Sequence, residues 1–150
     1  MSFMGSLNTS ASGLTAQRLR MDIISENLAN ANTTRTADGG PYKRKIILFQ
    51  EREQASPFER FFEDALNRGV NGKGVRVSRV VKSQKEGALV YDPGHPDANA
   101  DGYVEQANVN PVTEMVDLIS ASRSYEANIT AMNATKAMIN KTIEMAKQTV

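Results

Sequence analysis

The carboxyl-terminal segment constrains the fold more than any other part of this sequence. Residues 111–150 contain no glycine, and Pro111 is their only proline, so nothing inside the segment breaks a helix. Mostly apolar side chains recur at intervals of seven residues in two rows, which predicts one long helix with a narrow apolar face. The first row is Met115, Ser122, Ile129, Lys136, Ile143 and Val150, and the second is Leu118, Tyr125, Met132, Ile139 and Ala146. Asn110 is a suitable N-cap, and Pro111 fits the first helical position.

The amino-terminal segment, residues 1–36, has a similar pattern and predicts a second helix. One heptad row consists of Leu7, Leu14, Met21 and Leu28, and the alternate position holds Ser10, Gln17, Ile24 and Ala31. Between Leu14 and Asp38 there is no glycine or proline, so no helix breaker occurs before Gly39, Gly40 and Pro41.

The middle region, residues 37–110, has a different composition. It holds eight of the ten glycines and four of the five prolines. Strands are predicted near 42–50 and 75–81, with short apolar pieces at 89–91 and 103–104 and a short helix near 57–68. The predicted fold is therefore α+β: long N- and C-terminal helices (1–36 and 111–150) pair as an antiparallel coiled coil, and the middle is a small β-rich insert.

The apolar rows are too long for this insert to cover. A helix over the last segment would be about 57 Å long at roughly 1.5 Å per residue. From the residues alone, the helices either close on each other as a hairpin or bury their faces against other subunits. We favour the second, because a narrow apolar face with few aromatic residues is only marginally stable by itself. Polar interruptions such as Gln17, Ser122 and Lys136 would then fix the register.

Composition excludes several kinds of function. Eighteen basic against 17 acidic residues leave a formal net charge of +1, which argues against a nucleic-acid partner. There is no cysteine and only one histidine, His95, so no enzymatic activity, cofactor or small-molecule substrate is expected. Residues 97–102 match the first half of a calcium loop, but Asn108 stands where the bidentate glutamate belongs, so no metal is expected.

Both ends of the chain resemble the paired terminal signatures of bacterial flagellar rod and hook proteins. Residues 10–33 include the Asn-Leu-Ala-Asn core of that family as Asn27, Leu28, Ala29 and Asn30, and residues 110–128 resemble its carboxyl-terminal partner. Segments 38–42 and 91–104 are similar to those of the proximal-rod members. The likeness covers roughly 1–50 and 75–148. Residues 51–72 carry no family pattern, and 106–108 lack the proline expected before the asparagine.

The resemblance implies a structural subunit of the flagellar basal-body rod, located outside the cytoplasmic membrane. Such a subunit assembles helically with other rod proteins and with itself into the hollow drive shaft that transmits torque and conducts exported subunits. It is delivered unfolded by the flagellar type III export apparatus without a cleaved signal, and residues 1–13 lack the basic start and apolar core of a secretory signal.

The predicted assembly contacts lie on both helices: Leu14, Met21, Ile24 and Leu28 in the first, and Met115, Leu118, Tyr125, Ile129, Met132, Ile139 and Ile143 in the last. The alternative is a self-contained soluble helical-hairpin binding module for a single partner such as an export chaperone.

Overall fold

The computed structural model describes residues 3–52 and 74–148. Its elements are α1 (Phe3–Ala29), β1 (Lys45–Glu51), β2 (Val75–Lys82), β3 (Leu89–Tyr91), β4 (Tyr103–Glu105) and α2 (Pro111–Gln148). The strands predicted in the middle region are present, and the short helix expected near 57–68 lies outside the described residues. No described helix is both long enough and apolar enough to cross a membrane.

Four strands form two separate two-stranded sheets. Strand β1 pairs with β2, and β3 pairs antiparallel with β4. In the β3–β4 hairpin Leu89 lies opposite Glu105, and Tyr91 lies opposite Tyr103. Gly87 precedes this hairpin, and a Cβ added there would lie 1.7 Å from the Gln106 carbonyl oxygen. Only glycine allows the two chain segments to approach so closely.

Helix α2 begins at the predicted cap. The Asn110 side-chain oxygen accepts hydrogen bonds from the backbone N–H groups of Val112 (3.0 Å) and Thr113 (3.3 Å). Pro111 is the first helical residue, where its missing N–H leaves no bond unmade.

Helix α1 ends at Ala29 and leads into a tight turn rather than directly into β1. The Tyr42 N–H donates to the Thr33 carbonyl at 3.0 Å, which closes the turn at its base. Gly39 and Gly40 at its tip have φ of +80° and +78°, a backbone region that glycine adopts readily. The turn brings the chain back to the end of α1 before β1 starts.

The chain divides into two compact units. The first unit contains the described parts of Met1–Arg18, Phe49–Ser78 and Arg123–Val150. Here the two helices approach closely, because a Cβ at Gly13 would lie 2.9 Å from the Asn128 side-chain oxygen. Ser12, Ala16 and Thr135 are the buried residues described in this unit. The Ser12 hydroxyl accepts a hydrogen bond from the Val75 N–H at 3.1 Å, which joins α1 to the start of β2.

The second unit contains Leu19–Leu48 and Arg79–Ser122. Its described buried apolar residues come from both helices and from the segments between them: Ile24, Tyr42, Val104, Ala107 and Ala121. Asn27 of α1 donates a hydrogen bond to Glu114 of α2, so residues near the end of one helix meet residues near the start of the other. The helices therefore run antiparallel, and the predicted α+β fold with an antiparallel coiled-coil pair and a small β-rich insert is confirmed.

Candidate assembly surface and polar network

The face of α2 that turns inward is displaced by one residue from the first predicted heptad row. Glu114, Ala121 and Thr135, which are seven or fourteen residues apart, are the buried residues of this helix among those described. Met115, Ile129 and Ile143 follow Glu114, Asn128 and Thr142 in the sequence, and all three are exposed. The buried positions of α2 thus carry small or polar side chains, and the apolar row that follows them in the sequence is exposed.

The other predicted assembly residues lie partly inside the chain. Ile24 is buried in the core of the second unit. The remaining residues are half-buried: Leu14, Met21, Leu28, Leu118, Tyr125, Met132 and Ile139. The set therefore separates into members that pack within the chain and the three exposed ones. Its assignment to subunit contacts stays a prediction.

An exposed apolar patch covers the first two turns of α2. Val112, Met115, Val116 and Ile119 are between 46% and 65% exposed. Their spacing of three, four and seven residues places them on one side of the helix. We call these four residues the outer patch. Three of them were missing from the predicted set, although the same spacing in the sequence could have revealed them. Farther along α2, Met138 and Met145 are also exposed.

Asn27, from the family motif, is the centre of a buried polar network in the second unit. Its side-chain oxygen accepts hydrogen bonds from the Tyr42 hydroxyl and the Lys45 N–H, both at 2.9 Å. Its amide nitrogen donates to the Lys45 carbonyl at 2.9 Å and to Glu114 Oε2 at 3.0 Å. All four hydrogen-bonding positions of an asparagine amide are thus occupied. Because both backbone groups of Lys45 take part, the side chain pairs with the start of β1 as a neighbouring strand would.

Charged residues complete the network on the α2 side. Glu114 is fully buried, and its Oε1 accepts from Arg44 Nε at 2.6 Å. The same guanidinium donates to Asp117 at 3.2 Å, and Arg20 donates to Asp117 at 3.3 Å. A buried carboxylate is stable only with partners of this kind, because its desolvation is otherwise uncompensated.

Tyr42 lies beside these carboxylates. Burial raises the pKa of the Tyr42 hydroxyl to about 12, and the negative charges of Glu26 and Glu114 add to the rise. The neutral phenol is therefore the form that donates to Asn27 over the whole physiological range.

The rest of the motif has separate local roles. The Asn30 amide nitrogen donates to the Glu26 carbonyl at 2.9 Å, and its side-chain oxygen accepts from the Thr33 hydroxyl at 3.2 Å. These bonds cap the carboxyl end of α1. Leu28 is half-buried and Ala29 is exposed.

The loop with partial likeness to a calcium site is tied into the fold by its side chains. Asp97 accepts a hydrogen bond from Thr34 at 2.8 Å and pairs with Arg35 at 3.6 Å. Asn108, at the twelfth position, bonds instead to the backbone of Arg44 and Lys85. Over residues 3–52 and 74–148, no cluster of three or more His, Cys, Asp or Glu side chains could hold a metal ion.

Comparison with known proteins places this architecture in one class. Residues 7–35 match the family model described as "Flagella basal body rod protein". Residues 100–145 match that described as "Flagellar basal body rod FlgEFG protein C-terminal". These two segments contain the Asn27 end of the polar network and most of α2, respectively. The class is that of the flagellar basal-body rod proteins.

Similar proteins across nearly the whole chain define the family within that class. The flagellar basal-body rod protein FlgC of Bacillus subtilis (strain 168) is 50% identical, covering 95% of this chain and 97% of its own. FlgC of Borreliella burgdorferi is 48% identical at the same coverage, and FlgC of Aquifex aeolicus is 41% identical over 98% and 99%. The chain belongs to the FlgC family of flagellar basal-body rod proteins. The comparisons give no support to a binding module for a single partner.

Proposed function

We propose that this chain, which is a structural subunit of the flagellar basal-body rod, joins neighbouring rod subunits through the outer patch of α2. Membership of the FlgC family supports the rod assignment. The location of the patch supports its role, since four apolar side chains in two helical turns have no cover within the described chain. The role proposed is structural rather than catalytic.

The composition of the two faces of α2 supports different roles for them: the inward face packs within the chain, and the exposed apolar face contacts neighbouring subunits. The inward face of α2 uses Glu114, Ala121 and Thr135, which gain little from leaving water unless they are hydrogen-bonded or closely packed. The larger apolar residues Met115, Ile129 and Ile143 lie outside that contact. Burial of such residues stabilises by roughly 1.5–3 kcal/mol per side chain, so neighbouring subunits would supply much of the stabilising area. Of the predicted contacts, these three fit best.

We further propose that the partners are other rod subunits and further copies of this chain. We also propose that the flagellar type III export apparatus delivers this chain without cleaving a signal from it. The family resemblance supports this route. Two-stranded sheets and helices with few buried residues are compatible with passage of an unfolded chain, since they do not bury a large core.

The test is a charge placed in the outer patch. Ile119 is 57% exposed, so Ile119→Asp leaves the helix contact untouched. The free energy of unfolding of the purified variant should therefore lie within about 0.5 kcal/mol of the wild-type value. Its incorporation into basal bodies and its rescue of motility in a strain lacking the gene should fall to background. Thr113→Asp is the matched control, because it adds the same charge to an exposed residue of α2 beside the patch.

Normal motility with Ile119→Asp would contradict the role of the patch. Failure of the wild-type chain itself to restore motility in its own host would contradict the rod assignment. The two failures are therefore distinguishable.

A further inference from the structure

The last turns of α2 extend past the helix contact of the first unit. Gly13 of α1 lies against Asn128 of α2, because a Cβ at Gly13 would meet the Asn128 side-chain oxygen at 2.9 Å. Helix α1 begins at Phe3, ten residues before Gly13, whereas α2 continues for twenty residues past Asn128. Both helices rise by the same distance per residue, so the described part of α1 reaches only about ten residues past Asn128. Residues 140–147 are accordingly all exposed.

The apolar face that packs toward α1 continues into this end of α2. Thr135 is only 5% exposed, and Ile139, one turn later, is half-buried. Ile143 is then 50% exposed, and Ala146 is exposed as well. Spacings of four and three residues place Ile139, Ile143 and Ala146 on one side of the helix. We call these three residues the free row, because their burial decreases where the described part of α1 ends.

The outer patch has the same spacing as the free row. Val112, Val116 and Ile119 are also separated by four and three residues, and they are 65%, 62% and 57% exposed. Each strip therefore covers about two helical turns, or roughly 10 Å. Side chains four residues apart form ridges that interdigitate when two helices pack. Two strips of equal length and equal spacing can cover each other with little apolar surface left in water.

The symmetry of a rod favours a contact between two different surfaces. A surface that binds its own copy closes into a twofold dimer, whereas contact between two different surfaces continues from copy to copy. The outer patch belongs to the second unit and the free row to the first. After two copies join in this way, one outer patch and one free row remain available for the next subunits.

We propose that the free row of one copy packs on the outer patch of the next copy. The contact rests on the proposed function, since it identifies the surface that covers the outer patch. Each strip is small compared with the roughly 800 Å² per partner of a stable complex. The contact therefore forms within the polymer, where other contacts raise the effective concentration of the neighbouring copy.

Cross-linking tests the contact, and the chain has no cysteine of its own to interfere. Val116→Cys and Ile143→Cys are introduced together in one chain and produced in a strain lacking the gene. The two positions are 27 residues apart on α2. This corresponds to about 40 Å, which a short bis-maleimide cannot bridge within one chain. Treatment of isolated basal bodies should yield dimers, trimers and larger species, whereas chains with either cysteine alone should stay monomeric.

A charge swap provides the second measurement. Ile143→Lys should lower incorporation into basal bodies at least about tenfold, as Ile119→Asp does, because each change places an unpaired charge in the contact. Both changes in one chain bring the lysine of one copy to the aspartate of the next, so incorporation should recover at least about fivefold over either single variant. Asn140→Lys is the matched control, since it adds the same charge to an exposed residue at the same end of α2.

Three results would overturn this contact: normal incorporation of Ile143→Lys, no recovery in the combined variant, or cross-linked dimers from a single cysteine, which indicate that a surface binds its own copy. Each of them leaves the role of the outer patch intact as long as Ile119→Asp alone prevents incorporation. Normal incorporation of Ile119→Asp would overturn the proposed function as well.

Discussion

Asn27 shows how a single side chain can determine the arrangement of three segments. It joins α1 to the start of β1 through both backbone groups of Lys45, and to α2 through Glu114. An aliphatic residue of similar size could fill the space but would leave these buried groups and the Tyr42 hydroxyl without their partner. Unsatisfied buried groups cost about 1–3 kcal/mol each, and several are affected here.

Asn27→Leu should therefore destabilise the protein by about 3 kcal/mol or more, measured as the free energy of unfolding in urea. Asn30→Ala is the matched control from the same motif. Asn30 bonds only within the end of α1 and its following turn, so its loss should cost about 1 kcal/mol. Equal losses for the two variants would contradict the central role of Asn27.

Tyr42 predicts a fall in stability at alkaline pH. Its pKa rises from 10.0 to about 12 on folding, so the phenol is protonated in both states below pH 10. Between pH 10 and 12 the unfolded chain releases this proton and the folded chain retains it, so stability decreases as pH rises. The decrease should amount to about 2 kcal/mol across this window.

The check is the free energy of unfolding against pH for wild type and Tyr42→Phe. The variant loses one hydrogen bond at every pH, but its curve should be flatter than that of wild type above pH 10. Parallel curves would show that Tyr42 does not titrate differently in the two states.

At the scale of elements, the β3–β4 hairpin depends on one close backbone approach. Gly87→Ala would place a Cβ 1.7 Å from the Gln106 carbonyl oxygen, and backbone cannot move aside as a side chain can. We expect the free energy of unfolding to fall by at least about 2 kcal/mol. The near-ultraviolet circular dichroism of Tyr91 and Tyr103, which lie opposite each other in the hairpin, should weaken as well. Gly94→Ala is the control, since its Cβ would meet only Asp92 Oδ1 at an ordinary 3.6 Å. Similar stability of both variants would show that the hairpin can relax.

Prediction from sequence succeeded for the elements and only partly for the surface. Glycine and proline placement predicted both helices, and Asn110 marked the start of α2, because these effects act within a few residues. Helix α1 nevertheless ends at Ala29 and not near residue 36 as predicted, since side-chain bonds of Asn30 end it before the first glycine or proline. The inward row of α2 escaped prediction, since Glu114, Ala121 and Thr135 are not the apolar residues that a heptad search selects. The burial of Glu114 depends on Arg44 and Asn27, which are remote in the sequence.

At the scale of the whole molecule, buried residues are unevenly distributed. The second unit contains Ile24, Asn27, Tyr42 and Glu114 together with its β-hairpin core, whereas Ser12, Ala16 and Thr135 are the buried described residues of the first. The monomer should therefore resist proteolysis longest within Leu19–Leu48 and Arg79–Ser122.

Limited proteolysis with mass spectrometry of the fragments checks this. Early cuts should fall within 3–18 and 123–148. The part of each helix that belongs to the second unit should then stay attached to the middle region. Equal protection along both helices would mean that they bury each other before assembly.

The Asn27–Lys45 pairing also limits how the length of the chain can vary. The turn between Thr33 and Tyr42 is closed at its base by a backbone hydrogen bond. Extra residues near Gly39 and Gly40, at its tip, can therefore loop outward without disturbing that bond or the Asn27–Lys45 pairing. A residue added between Tyr42 and Lys45 would instead bring a different peptide group to Asn27 and move Arg44 away from Glu114. Insertions and deletions among homologues would accordingly collect at the tip of this turn and avoid the three residues before β1.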